Sequence, residues 1–205
     1  MRRGWMTGTV AGLVAVAAAA LAAGAVPATA GTAARPARTA ATAATACPAV
    51  SWGSLAKNGS PAPGARPPAA QPTMRDVRSG RHACFDRLVV DLAGREPGFT
   101  VRYVGQVTED GSGRVIRLRG GARLQVTVYA PAYDTAGHST YLPANGRELT
   151  DVTGYRTFRQ VAWAGTFEGY TTLGLGVRAR LPFRVVQLPG PGTGSRVVID
   201  VAHTW

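Results

Sequence analysis

With 23 Lys and Arg against 11 Asp and Glu, the 205-residue chain carries a formal net charge of +12. Lys57 is the only lysine, and the arginines stand singly along the chain rather than in the clusters a nucleic-acid surface requires. The length allows one sizeable core and, with the low-complexity N-terminal region set aside, not two.

Arg2 and Arg3 precede an apolar run rich in Ala and Val, from about Thr9 to Val26. Ala28-Thr29-Ala30 then has the small-x-small form that signal peptidase accepts. The pattern predicts a signal peptide over 1–30, cleaved after Ala30; Arg2-Arg3-Gly4-Trp5-Met6 also resembles a twin-arginine signal. An uncleaved anchor is the alternative, but the Ala and Gly content makes the run a marginal span. No later segment is long or apolar enough to cross a bilayer. The expected product is exported and soluble, touching membrane only if the leader stays attached.

Residues 31–72 are Ala, Thr, Pro and Gly with little else, a composition that does not offset the entropy of ordering. They read as a disordered tether, broken once by an island at 47–55 that holds Cys47, Trp52 and Leu55. The folded domain is expected over 73–205.

Cys47 and Cys84 are the two cysteines, and in an exported chain the economical reading is one disulfide. The bridge would strap the island to the domain, at roughly 3–4 kcal/mol in the chain-entropy model. The rival is a lipobox at Ala44-Thr45-Ala46-Cys47, but Arg35, Arg38 and a long polar stretch separate it from the apolar run.

From Phe99 onward the hydrophobic period is two. In 99–107, Val101, Tyr103 and Val107 share a face opposite Arg102 and Gln106. A short strand at 114–118 follows the Gly-rich turn 109–113. In 123–130, Leu124, Val126 and Val128 point inward and Arg123, Gln125 and Thr127 outward. Val161, Trp163 and Phe167 fall in phase along 158–167. Glu168-Gly169 then turns the chain into 171–180, where Leu173, Leu175 and Val177 share a face. Strands at 183–188 and 196–202 flank the turn 189–195. With a first strand at 86–92 this gives an all-β fold of about eight strands, an antiparallel β-sandwich or, as the alternative, a flattened barrel. Residues 146–152 could add one or two helical turns.

The connection 131–155 is unusually long. It carries Tyr133, Asp134, His138, Tyr141, Asn145 and Arg147, a mixture of aromatic and polar groups suited to a sugar or peptide. Arg178, Arg180 and Arg184 share a parity opposite Leu175 and Val177, which would place them on an exposed face open to an anionic polymer.

Catalytic patterns are sparse. No HExxH pair and no G-x-S-x-G occur, and neither Gly-rich segment leads from a strand into a helix. His82, Cys84 and Asp86 stand at i, i+2, i+4, so a strand would set all three on one side as a cysteine nucleophile or zinc ligand set. A disulfide at Cys84 argues against that set, and no cofactor or metal is expected.

Arg87-Leu-Val-Val-Asp91-Leu and Arg196-Val-Val-Ile-Asp200-Val repeat one formula. Within a strand, Arg and Asp four apart lie roughly 13 Å from each other and cannot pair. As antiparallel neighbours, Arg87 would face Asp200 and Asp91 would face Arg196. Alternatively the two segments occupy equivalent places in two related sheets.

RHACFDRLVVDLAG, GYRTFRQVAWAG and the run GLGVRARLPFRV to the C-terminus resemble the AMIN-like domain of exported actinobacterial proteins and lipoproteins, a relative of the AMIN domain. The resemblance spans about 74–205. It implies a small β-sandwich that is non-catalytic and attaches envelope proteins to the cell wall, with peptidoglycan as a proposed ligand. It supplies no ligand residues. The expected function is therefore an exported, monomeric binding module contacting a cell-wall polymer or an envelope protein. The alternatives are a small hydrolase built on His82, Cys84 and Asp86, and a secreted protein-binding or inhibitor module.

Overall fold

The computed structural model describes residues 47–62 and 71–205. The expected leader at 1–30 and most of the expected tether lie outside the described residues. Among the described residues there are eleven strands and no helix; 146–152 forms turns instead.

The strands are β1 (Lys57–Gly59), β2 (Thr73–Arg81), β3 (Phe85–Ala93), β4 (Phe99–Tyr103), β5 (Val107–Thr108), β6 (Val115–Ile116), β7 (Ala122–Val128), β8 (Phe158–Phe167), β9 (Tyr170–Val177), β10 (Phe183–Pro189) and β11 (Ser195–Ala202). They make a five-stranded sheet in the order β1-β4-β7-β9-β8, a four-stranded sheet in the order β10-β11-β3-β2, and the separate hairpin β5–β6. Every pairing is antiparallel.

Alternation builds the sandwich. Leu88, Val90 and Leu92 of β3 and Val197, Ile199 and Val201 of β11 meet Leu124, Val126, Leu173 and Leu175 from β7 and β9 in one buried cluster. Two faces that alternate in this way bury their apolar halves against each other.

Three parts of the sequence reading need correction. The stretch 99–107 is not one strand: β4 ends at Tyr103, and Val107 belongs to the hairpin, where it is buried with Leu118, Ala162 and Ala164 in a second, smaller cluster. That cluster lies on the outer face of the larger sheet. In β8, a bulge between Trp163 and Gly165 reverses the phase, so Phe167 is 50% exposed rather than inward. The count of about eight strands also omitted β1 and β2.

A buried polar link joins the two sheets. Asp86 points inward at the start of β3 and accepts the backbone N–H groups of Thr157 (2.6 Å) and Phe158 (3.0 Å), where β8 begins. His203, just past β11, reaches the same carboxylate through Nε2 (3.1 Å) while its Nδ1 faces the Ala83 carbonyl (3.2 Å).

Candidate ligand groove

The hairpin β5–β6 borders a wide concavity. It lies across the larger sheet because β9 offers glycine where the two approach. A Cβ at Gly174 would come within 2.8 Å of the Leu118 side chain, and one at Gly176 would collide with the Arg119 carbonyl. The hairpin tip is pinned by the Asp110 N–H donating to Ala164 O at 2.7 Å.

On the far side of β8 the chain returns as a loop that follows the sheet edge. Trp163 N–H donates to Gly146 O (2.7 Å) and Leu149 N–H to Val161 O (2.9 Å). Trp163 also packs on Tyr141, with ring centroids 5.6 Å apart. Buried Gln160 ties loop to hairpin. Its Oε1 accepts Arg119 N–H at 2.8 Å, and its Nε2 donates to Arg147 O at 2.9 Å.

Between hairpin and loop runs a groove of about 590 Å³, floored by Ile116, Gln160 and Ala162 and edged by Asn145, Arg117 and Arg147. Arg114, also on its rim, is held by Glu109 at 2.8 Å. The exposed side chains of Arg117 and Arg147 carry no ion pair or hydrogen bond among the described residues. The groove can therefore offer two uncommitted guanidiniums over an apolar and amide floor.

The long loop does not act as one unit. Asn145 and Arg147 reach the groove and Tyr141 supports it from behind. Tyr133, Asp134 and His138 form a separate tight turn. There Asp134 accepts the N–H groups of Ala136 and His138, both at 2.9 Å, and these bonds hold its carboxyl below the usual range. Tyr133 accepts Gly169 N–H.

Arg178, Arg180 and Arg184 do not make a free cationic face. The strand ends at Val177, so the assumed parity stops there, and each arginine has an internal partner. Arg178 donates to His203 O at 2.6 Å, and Arg180 donates to Ser54. Arg184 bonds Asp200 at 2.8 Å and lies 4.4 Å over the Trp52 ring. The contacts of Arg180 and Arg184 fasten the Cys–Trp island. Cys47 and Cys84 are joined, with Cα atoms 5.2 Å apart.

The repeated Arg–Asp strands are antiparallel neighbours, with Arg87 opposite Asp200 and Asp91 opposite Arg196. Arg87 grips Asp200 through two bonds of 2.6 and 2.9 Å. The second pair does not form: Asp91 is taken by Arg78 of β2, and Arg196 donates to Pro189 O at 2.7 Å.

His82, Cys84 and Asp86 are not a site. Residues 82–84 form the turn between β2 and β3, so the three share no face. His82 stacks on Phe85, Cys84 is in the disulfide, and Asp86 points into the core. Among the described residues no group of three or more His, Cys, Asp and Glu could hold a metal ion.

A sandwich of this build, with a disulfide, no assembled catalytic group among the described residues and a basic groove, is matched over residues 72–203 by the family model of the AMIN-like domain. The chain belongs to the AMIN-like family. No curated protein and no solved structure matches it. AMIN-like domains are in general non-catalytic binding modules of exported proteins. No helix among the described residues is long and apolar enough to cross a membrane.

Proposed function

We propose that the protein is an exported, non-catalytic module of the cell envelope that holds a cell-wall polymer in the groove between β5–β6 and β8. Peptidoglycan and an anionic wall glycopolymer both carry the negative groups and hydroxyls that this lining suits. The observation that carries the reading is the uncommitted pair Arg117 and Arg147 beside the amides of Asn145 and Gln160. By contrast, Arg87, Arg178, Arg180 and Arg184, which flank the island and the Arg–Asp strands, are all engaged internally.

Co-sedimentation with purified cell wall tests it. Parent protein should pellet at low salt and be released at high salt, because exposed charge contacts are screened. Arg117→Ala with Arg147→Ala should abolish salt-sensitive pelleting while leaving the melting temperature unchanged. Pelleting by the double variant equal to the parent's, or no pelleting by the parent, removes the groove from the function.

A further inference from the structure

On the same outer face of the larger sheet lies a second pocket, of about 240 Å³, with a lining of opposite character. Two carboxylates, Asp110 and Glu168, contribute to it, and no lysine or arginine does. In a chain of net charge +12, a lining with carboxylates and no basic side chain is set apart by its composition. Its polar floor is Thr127 and Thr172, whose hydroxyls stand 3.2 Å apart on neighbouring strands. Its walls are Phe167 and Tyr170, 50% and 46% exposed. The Trp163/Gly165 bulge turns Phe167 onto this face, and Tyr129 buttresses Tyr170 edge-on with ring centroids 5.0 Å apart.

Asp110 is the distinctive member. Its Oδ2 is buried and has no hydrogen-bond partner among the described residues. The carboxylates buried in the sandwich are fully served, Asp200 by Arg87 and Arg184, and Asp86 by two backbone N–H groups and His203. Burial also raises the Asp110 carboxyl above its ordinary range, with Thr172 offsetting the rise in part. An unserved buried oxygen is costly, and a cationic donor is the partner that relieves it most.

Glu168 adds a backbone observation. It is the only non-glycine with positive φ among the described residues, at 48°, followed by Gly169 at 86°. Both central residues of such a hairpin turn need positive φ, which favours Asn, Asp or Gly at the first. A glutamate there is held against its backbone preference, and it sets a carboxylate at the pocket rim.

We propose that this pocket binds the ammonium group of a primary amine, seated against Asp110 and Glu168 with its carbon stem between Phe167 and Tyr170. Aromatic faces attract a cation as well as its apolar stem, so the walls and the carboxylates act on the same group. The assignment does not rest on the polymer groove, which lies across the hairpin and selects the opposite charge.

The test is a titration of the isotopically labelled protein with n-butylammonium, followed by amide NMR, with n-butanol and glucose as neutral controls. Saturable shifts confined to the amides around Gly111, Thr127, Gly169 and Thr172 are expected with the amine alone. Asp110→Asn should weaken binding at least tenfold, and Glu168→Gln, at an exposed turn, by a smaller factor without disturbing the fold. The Arg117→Ala, Arg147→Ala protein should bind the amine as the parent does. Lysinamide and glucosamine then separate a peptide amine from an amino sugar, and binding of either supports the assignment. Equal shifts with butanol or glucose, no saturable shift, or full affinity in both carboxylate variants would overturn it.

Discussion

Asp86 and Asp110 show how one residue type takes opposite roles according to its neighbours. Asp86 accepts three hydrogen bonds in the core and joins the sheets. Asp86→Ala leaves several buried donors unserved, each worth about 1–3 kcal/mol. An overall loss of about 3 kcal/mol or more in urea unfolding is expected. Asp110 instead sits partly desolvated, with its carboxyl raised above its ordinary value. A raised folded value means the folded state holds the extra proton as pH climbs past the unfolded value. Stability from this group is then lost as pH rises through the folded value. Asp110→Asn, which has no such proton to lose, should match the parent near pH 3 and exceed it at pH 7. Urea midpoints at the two pH values measure this, and an equal gap at both would show that Asp110 is not desolvated.

At the scale of elements, glycine spacing in β9 decides whether the hairpin can dock. Gly176→Ala places a Cβ against the Arg119 carbonyl, which belongs to the backbone and cannot swing aside. Overpacking of this kind typically costs about 1–3 kcal/mol, and here it should also displace the hairpin and weaken wall pelleting. Gly174→Ala meets the side-chain ends of Leu118 and Val107 rather than backbone and should be milder on both measures. The sequence made β7 and β9 legible because their large apolar residues alternate, Leu124, Val126 and Val128 in one and Leu173, Leu175 and Val177 in the other, and β11 because Val197, Ile199 and Val201 fall at the same spacing. It hid β2, where Met74 and Val77 are out of phase across a bulge between Met74 and Asp76 and most of the remaining side chains are charged. It hid β1 because three residues within a Pro- and Gly-rich stretch carry no period. The groove was only half visible. Asn145 and Arg147 stood out as loop residues, but Arg117 and Gln160 become their neighbours only through the order β7-β9-β8, which no local pattern encodes.

For the whole molecule, the island at 47–62 is an addition to a sandwich that already has its core. The disulfide is one of several fastenings. Phe183 N–H donates to Gly53 O at 2.9 Å, β1 pairs with β4, Arg180 holds Ser54, and Arg184 covers Trp52. The island meets members of the two-sheet cluster at Phe183 and β4 but contributes no residue of its own to it, so the sandwich should fold without the bridge. Replacing both cysteines by serine removes a crosslink over a separation of 37 residues. A loss of about 3 kcal/mol is expected in the chain-entropy model, which corresponds to a melting temperature roughly 6–12 °C lower for a chain of this size. Trp52 packs edge-on against Phe85 with centroids 5.8 Å apart, and with Trp5, Trp163 and Trp205 replaced by phenylalanine it reports the island separately from the core. If the remaining contacts hold the island, its fluorescence change should coincide with global unfolding even in the double variant. An earlier tryptophan transition, at denaturant concentrations where the sheet signal by circular dichroism is still native, would show that the bridge alone keeps the island in place.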